Sequence, residues 1–204
     1  MSYQYPEHFK YPEGERYFFL NHVDSWDHFL PNYGDEPRIC LEIGALYGGS
    51  SVYILDEFCK KEGSHHYIMD INTNEFIETN IKPYNDRVTY ILGESADSFK
   101  TFNHNNQTKE FLDFVYIDGN HMCKYVLEDA VNAFYCLKNN GYIIFDDYGG
   151  GLEQEQYLQV KTGADAFYHG YHKYLEIVYN GYQVIMKKIN YINENDLKEN
   201  YYKV

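Results

Sequence analysis

Residues 39 to 51 read Ile-Cys-Leu-Glu-Ile-Gly-Ala-Leu-Tyr-Gly-Gly-Ser-Ser, a pattern that predicts a strand, a turn and the start of a helix. Its first five residues are mainly apolar, which is typical of a strand buried on both faces in a parallel sheet covered by helices. The glycines that follow allow a sharp turn, and either Ser50 or Ser51 can cap a helix that runs to about Lys61. Because a helix N-terminus offers unpaired N–H groups and a positive dipole end, this turn predicts a site for a phosphate or carboxylate.

Strand and helix patterns alternate along the rest of the chain. Short apolar runs predict further strands at residues 67–70, 88–95, 111–118 and 142–145, and residues 175–179 and 183–187 predict a closing pair of strands. The spacing of apolar residues predicts helices at 16–30, 124–137 and 156–168, the second of them stopped by Asn140 and Gly141. This order predicts an α/β fold with a Rossmann-like, doubly wound, mostly parallel seven-stranded sheet that has an antiparallel strand near its edge.

The chain divides into three segments. Residues 1–37 are rich in aromatic side chains and are expected to form an N-terminal extension or lid, in which Phe19, Val23, Trp26 and Leu30 fall near one helix face. Residues 38–188 carry the alternating strand and helix pattern, and residues 189–204 form a polar C-terminal tail. A chain of 204 residues is long enough for one domain to bury its own core.

The composition limits the partners and the compartment of the protein. A formal net charge of -14 at pH 7 disfavours nucleic acids and anionic membranes, whose binders use clustered Lys and Arg. The four cysteines form no CxxC pair, no basic leader opens the chain, and no window approaches the roughly 18 apolar residues of a membrane span. We therefore expect a cytoplasmic protein with a small-molecule partner, and a homodimer is compatible with the sequence.

Acidic residues mark the ends of the predicted strands. They are Glu42 at the first strand, Asp70 at the second, Glu94 at the third, Asp118 at the fourth, and Asp146 with Asp147 at the fifth. Doubly wound sheets bind their ligands outside the carboxyl ends of the strands. The sequence therefore predicts a functional site at this edge of the sheet.

The turn after the first strand lacks the GxGxxG spacing of dinucleotide-binding enzymes, which counts against NAD. Its pattern is Glu42-x-Gly44-x-x-x-Gly48-x-Ser50, which resembles the cofactor loop of class I S-adenosylmethionine-dependent methyltransferases. The resemblance covers residues 39–188 and is closest to two metal-dependent O-methyltransferase groups, the macrocin-type sugar enzymes and the catechol enzymes. It implies S-adenosylmethionine and a divalent metal as the cofactors.

The resemblance assigns cofactor contacts to the loop and to the second strand end. It implies that Glu42 and Gly44 lie along the methionine part of the cofactor, that Ser50 holds the methionine carboxylate, and that Asp70 binds the ribose. Asp70 suits this role chemically, because one carboxylate can accept hydrogen bonds from both hydroxyls of a ribose. The alternative is that Asp70 only caps the turn at residues 72–74.

The third and fourth strand ends complete the expected cofactor site. The resemblance places Ser95 at the adenine edge, and Glu94 and Asp118 complete the expected cofactor-binding residues. Gly93-Glu94-Ser95 is also an ordinary turn sequence, so a purely structural role for these residues stays open.

The fourth and fifth strand ends predict a metal site. Asp118, Asp146 and Asp147 would repel one another if they met uncompensated, and a divalent cation resolves that repulsion. An all-oxygen cluster suits Mg²⁺ or Ca²⁺ better than Zn²⁺, and we expect magnesium. Adjacent strand residues point to opposite faces, so Asp146 and Asp147 can share a metal only if the strand has already ended. The alternative is that one of these aspartates caps a turn before the glycines.

His121 lies three residues after Asp118 and is the expected general base. The resemblance supports this role, because the two metal-dependent groups place Lys or His at this position. An imidazole with a pKa near roughly 6.5 can accept a hydroxyl proton at neutral pH, and a bound metal lowers the pKa of the alcohol. Together, Asp118 and His121 form the predicted catalytic pair.

These features predict an S-adenosylmethionine-dependent, divalent-metal-assisted O-methyltransferase that acts on a hydroxyl of a small acceptor. A sugar or sugar-containing acceptor is preferred because His121 follows the sugar-modifying pattern, and a phenolic diol is the alternative. Two competing hypotheses use the same scaffold. One is a nicotinamide-dependent oxidoreductase, and the other is a non-catalytic protein that binds the cofactor.

Overall fold

The strands of the computed structural model form a single sheet. The structure describes residues 3–15, 18–30, 33–105 and 110–189, so the predicted polar tail lies almost entirely outside it. The strands are β1 Ile39–Ile43, β2 His65–Asp70, β3 Val88–Leu92, β4 Leu112–Ile117, β5 Leu137–Phe145, β6 Leu175–Asn180 and β7 Val184–Lys188. They are arranged in the order β3-β2-β1-β4-β5-β7-β6. The predicted seven-stranded sheet is confirmed.

The register of the parallel strands brings their carboxyl ends to one edge. β1 pairs in parallel with β2 on one side and β4 on the other, so that Ile43 lies beside both Met69 and Ile117. β3 and β5 extend the parallel part, and β7 is antiparallel to both β5 and β6. This is the predicted, mostly parallel arrangement with an antiparallel strand near the edge.

Helices alternate with the strands, as a parallel sheet requires. The α-helices are α1 Val23–Phe29, α2 Gly49–Tyr53, α3 Glu75–Ile81, α4 Ser95–Asn105, α5 Cys123–Cys136 and α6 Val160–Tyr171. Short 3₁₀ turns lie at Phe18–Asn21, Tyr33–Asp35, Lys82–Tyr84, Gln156–Leu158 and His172–Tyr174, and a π-helical turn at Ile54–Phe58 continues α2. No helix among the described residues is long and apolar enough to cross a membrane.

The helix after β1 differs from the prediction at both ends. It does not reach Lys61, because the π-helical turn closes it at Phe58. Its N-cap is Gly48, whose φ of 85° is a conformation that glycine adopts readily. The hydroxyls of Ser50 and Ser51 do not cap the helix and instead donate to the carboxylate of Glu42.

The boundary between α5 and β5 also differs from the prediction. Asn140 and Gly141 do not stop the helix, which ends at Cys136 and passes directly into the strand. Asn140 has a φ of 67°, and a Cβ on Gly141 would lie 2.7 Å from a methyl of Leu137. The two residues therefore make a tight bend inside β5, where its register against β4 shifts.

The N-terminal segment contributes to the core on one face of the sheet. Phe19, Val23, Trp26 and Leu30 are all buried, which confirms the apolar face predicted for this segment. The fully buried Trp26 ring packs against Phe114 and Tyr116, with ring centroids 5.3 and 5.0 Å away. Its indole N–H donates to Gln183 Oε1 at 2.7 Å. The segment thus shares its core with β4 and β7, while the boundary at residue 37 stays a prediction.

Replacing Trp26 should destabilise the whole domain. We expect W26A to lower the free energy of unfolding by about 3–5 kcal/mol, because it removes a large side chain from a packed core. W26F keeps most of the packing but leaves Gln183 Oε1 without its donor, so a smaller loss of about 1–3 kcal/mol is expected. Urea denaturation measures both. A loss below about 1 kcal/mol in W26A would show that the segment is not part of the cooperative core.

Candidate active site

The turn after β1 is locked to the neighbouring strand ends. The N–H of Gly44 donates to Met69 O at 2.8 Å, and the N–H of Asp118 donates to Ile43 O at 2.8 Å. Gly44 has a φ of 84°, and a Cβ at this position would lie 2.1 Å from the Asp118 carbonyl oxygen. Only glycine fits here, so the backbone of the turn comes close to the start of the loop after β4.

Glu42 is enclosed beneath this turn. Its side chain is fully buried and accepts hydrogen bonds from the hydroxyls of Ser50 and Ser51 and from His66 Nε2, the last at 3.1 Å. A buried carboxylate needs such donors to offset the loss of hydration. Glu42 and the Ser50 hydroxyl thus bind each other and hold the start of α2, and their expected contacts with the cofactor stay a prediction.

Two cavities open at the carboxyl edge of the sheet. The first, which we call the Asp70 cavity, has a volume of about 570 Å³. It brings together most of the predicted cofactor residues, which are Gly44, Asp70, Glu94, Ser95 and Asp118, together with His121. These residues therefore surround one space, and their role as cofactor contacts stays a prediction.

Asp70 is fixed at the wall of the Asp70 cavity by backbone donors. Its Oδ2 accepts from the N–H of Ala45 at 2.8 Å, and its Oδ1 accepts from the N–H of Asn72 at 3.0 Å. An ionised carboxylate has about four lone-pair positions, so these bonds leave acceptor capacity for a ligand. The turn-capping role and the ligand role proposed for Asp70 are compatible.

Asp129 on α5 was not predicted as a site residue. It lines the Asp70 cavity and is only 2% exposed, and burial raises the pKa of its carboxyl to about 6 against the opposing effect of a hydrogen bond from Ser95. Its Oδ1 has no donor within the described part of the chain. The sequence feature that could have identified Asp129 is its place beside Ala130 on the apolar face of a predicted helix, where an acidic residue is unusual.

The second cavity, which we call the Asp146 cavity, lies on the other side of Asp118. Its volume is about 590 Å³, and aromatic side chains of the N-terminal segment and of the β6–β7 hairpin form much of its wall. These are Tyr5, Tyr11, Phe18, Phe19, Tyr179 and Tyr182, and the three predicted metal-site aspartates also line the cavity. Asp118 borders both cavities. Groups bound in the two cavities would therefore meet at this residue.

Asp118, His121 and Asp147 form a tight cluster. His121 Nε2 lies 3.4 Å from Asp118 Oδ1, and His121 Nδ1 lies 3.3 Å from Asp147 Oδ2. One ligand atom from each residue lies within 4.8 Å of the other two. β5 ends at Phe145 and Asp147 has a φ of 51°, so the strand has ended before the two aspartates, as their sharing a site requires.

The charged groups of the cluster shift the pKa values of Asp118 and His121. Burial raises the pKa of Asp118, and the nearby carboxylates of Asp146 and Asp147 raise it further, while His121 opposes the shift. The hydrogen bond to Asp118 raises the pKa of His121. Each shift stabilises the form with less net negative charge, which is the response expected of carboxylates held close together.

Asp146 borders this cluster and has hydrogen-bond partners of its own. Its Oδ1 accepts from Gln183 Nε2 at 2.5 Å, and His22 Nε2 lies 3.7 Å away. The expected metal set of Asp118, Asp146 and Asp147 stays a prediction, and the structure adds His121 beside two of its members. Gln183 could not be predicted from the sequence, because its partners Trp26 and Asp146 are far from it in the chain.

A sheet of this order with a cavity at its carboxyl edge defines a Rossmann-like methyltransferase fold. Residues 41–148 match the model of a family described as methyltransferase domain. The match spans more than half of the 204 residues, and the chain belongs to this family. A sequence search of curated proteins finds no match. The predicted membership in the methyltransferases is confirmed.

Solved structures share the fold at low sequence identity. An O-methyltransferase from Bacillus cereus in complex with SAH has a TM-score of 0.66 and 20% identity, over 91% of this chain and 84% of that chain. The O-methyltransferase TomG from Streptomyces achromogenes in complex with SAM has a TM-score of 0.65 and 15% identity. The match covers 82% of this chain and 81% of TomG. MycE from the mycinamycin biosynthetic pathway, in complex with Mg, SAH and mycinamycin VI, has a TM-score of 0.60 and 16% identity. This chain is covered to 88% and spans 54% of MycE.

The buried Asp129 should make stability depend on pH. Its folded pKa of about 6 lies above an unfolded value near 3.9, so between these two pH values the folded state keeps a proton that the unfolded state has lost. The resulting stabilisation is lost as the pH rises through 6. D129N lacks this contribution. Between about pH 5.5 and pH 7.5, its unfolding free energy relative to wild type should therefore rise by about 1 kcal/mol.

Urea denaturation at the two pH values measures this difference. The exposed Glu153 offers the control, because E153Q should follow the wild type at both values. A constant difference between D129N and wild type would contradict the shifted pKa.

Proposed function

We propose that the protein is an S-adenosylmethionine-dependent, divalent-metal-assisted O-methyltransferase that acts on a hydroxyl of a small acceptor. The observation that carries the proposal is the meeting of two cavities at Asp118, beside a cluster of carboxylates and a histidine. Two of the similar structures are described as O-methyltransferases, and SAH or SAM is bound in all three. Free, mostly buried cysteines fit the reducing cytoplasm as its compartment.

The Asp70 cavity suits S-adenosylmethionine, which supplies a methyl group on a sulfonium centre. Asp70 would accept from the ribose hydroxyls, because its carboxylate is held in place by two loops and keeps free lone pairs. Gly44 would let the methionine part pass close to the backbone, and Glu94 and Ser95 would border the adenine. The Ser95 hydroxyl is tied to Asp129, so that contact keeps the loop after β3 in position.

The Asp146 cavity would hold the acceptor. Its aromatic wall suits the apolar faces of a sugar ring or the plane of a phenol, and its aspartates can accept hydrogen bonds from hydroxyls. A sugar or sugar-containing acceptor remains our preferred class, and MycE is described as bound to mycinamycin VI. A phenolic diol is the alternative.

The cluster beside Asp118 suits a divalent cation, for which magnesium is our candidate. Asp118 and Asp147 supply charged oxygens within reach of one point. A cation there would offset both the burial and the carboxylate repulsion that raise the pKa of Asp118. Such an ion would lower the pKa of an acceptor hydroxyl bound beside it. Asp146 would contribute from the acceptor side, where Gln183 holds its carboxylate.

Two histidines could receive the proton of the acceptor hydroxyl. His121 is the expected base and lies between Asp118 and Asp147. His22 lines the Asp146 cavity, and its ring stacks on Tyr182 at a centroid distance of 5.5 Å. The fixed positions of these side chains would align the acceptor oxygen with the methyl group, which is a large part of catalysis in methyl transfer.

Calorimetry with S-adenosylhomocysteine tests the cofactor assignment. The wild type should bind this compound and not NAD, and D70N should bind it roughly 10- to 100-fold more weakly, because a charged acceptor of two hydroxyl donors is lost. E75Q removes an exposed acid at the start of α3 and should leave the affinity unchanged. Binding of NAD without S-adenosylhomocysteine would instead favour the nicotinamide-dependent oxidoreductase.

Metal removal tests the proposed chemistry. Transfer of a labelled methyl group from S-adenosylmethionine to catechol and to a panel of small glycosides should be abolished by excess EDTA and restored by Mg²⁺. D147N should lower the restored rate by at least roughly 10-fold, because the cluster loses a charged ligand. Undiminished transfer in EDTA would limit the proposal to a metal-independent methyltransferase.

A further inference from the structure

Asp129 is a buried acid to which the proposed reaction gives no role. It lies on α5, is 2% exposed, and lines the Asp70 cavity, where S-adenosylmethionine is proposed to bind. Its Oδ1 accepts no hydrogen bond from the described residues. A buried carboxylate oxygen without a donor is unfavourable, because the folded protein does not replace the water that hydrated it. A ligand that brings a hydrogen-bond donor to this place would remove that penalty.

The carboxyl of Asp129 lies between the start of α4 and the loop after β4. The hydroxyl of Ser95, the first residue of α4, donates a hydrogen bond to it. A Cβ on Gly119, in the loop after β4, would lie 3.8 Å from Asp129 Oδ2. The carboxyl of an aspartate turns readily about its last torsion, so either oxygen can meet a donor that enters from the cavity. This acceptor is therefore beside Ser95, where the adenine is proposed to bind.

Apolar side chains near Asp129 suit the faces of a flat base. Tyr125 precedes Asp129 by four residues, so the two side chains share one face of α5. Ile71 directly follows Asp70, the proposed ribose ligand. Both Tyr125 and Ile71 line the Asp70 cavity and are exposed. A purine ring bound against them would cover this apolar surface, while its polar edge could face Asp129.

The edge of adenine offers one kind of donor to such an acceptor. Its exocyclic amino group donates hydrogen bonds, whereas its ring nitrogens accept them. Burial raises the pKa of the Asp129 carboxyl to about 6, so at pH 7.5 the group is mainly ionised. An ionised carboxylate accepts hydrogen bonds and donates none. The amino group of the base is therefore the partner that fits Asp129.

We infer that Asp129 accepts a hydrogen bond from the 6-amino group of the adenine and so makes the cofactor site selective for this base. The inference rests on the S-adenosylmethionine part of the proposed function. A base with a carbonyl oxygen at the same position, such as hypoxanthine, would place an acceptor against the carboxylate. The site should reject that base, both because a hydrogen bond is lost and because two acceptors face each other.

Calorimetry at pH 7.5 with two compounds that differ at this position tests the inference. S-adenosylhomocysteine carries the amino group, and S-inosylhomocysteine carries the carbonyl oxygen. The wild-type full chain should bind the adenosyl compound at least roughly 10-fold more tightly, which is the effect of a hydrogen bond to a charged group. D129N should lower this preference to about threefold or less, because an amide can present either a donor or an acceptor to the base.

Two further variants separate recognition of the base from support of the loop. S95A removes the hydroxyl that is bonded to Asp129 and keeps the carboxylate, so it should weaken both compounds by the same factor and retain the preference. E128Q changes the neighbouring acid on α5, which is not part of the cavity wall, and should leave both affinities unchanged. Circular dichroism checks that each variant is folded, and the wild-type preference is measured independently of them.

Three results would overturn the inference. Equal weakening of both compounds in D129N, with the preference retained, would show that Asp129 only holds Ser95 in place. Equal affinity of the wild type for the two compounds would show that the 6-position is not recognised, while binding of S-adenosylhomocysteine would still support the methyltransferase. A wild type that binds neither compound would overturn this inference and the cofactor part of the proposed function together.

Discussion

Charge crowding at one edge of the sheet is the constraint on which the site depends. Parallel strands that end in register bring Asp70, Asp118 and the Asp146-Asp147 pair to the same edge, and no Lys or Arg is among the described residues that line the two cavities. The protein meets this constraint with neutral donors and histidines. Backbone N–H groups hold Asp70, Gln183 holds Asp146, and His121 lies between Asp118 and Asp147.

The same constraint links the site to the core on one face of the sheet. The side chain of Gln183 is oriented toward Asp146 because its amide oxygen accepts a hydrogen bond from Trp26. Trp26 in turn packs against the rings of Phe19 and Tyr116. A neutral donor can only offset a buried carboxylate if its own position is fixed. The order of the acid cluster therefore depends on residues that lie far from it in the chain.

The sequence predicted the parts of this arrangement that follow from regular geometry. Side-chain periodicity identified the strands, and the coincidence of parallel strand ends placed Asp70, Glu94 and Asp118 around one cavity. It did not predict that Glu42 is enclosed by Ser50, Ser51 and His66, because burial beneath a turn depends on three-dimensional packing. It also did not predict the positive φ of Asp147 or the bond from Gln183 to Asp146, because neither leaves a periodic signal.

Phe19 is packed in the core and also lines the Asp146 cavity. A mutation that reshapes this wall to admit a different molecule would also loosen the packing around Trp26. Phe18, by contrast, is 57% exposed and lines the same cavity with little role in the core. Substitutions of Phe18 could therefore change the acceptor with little loss of stability. Substitutions of Phe19 would first need stabilising mutations elsewhere in the protein.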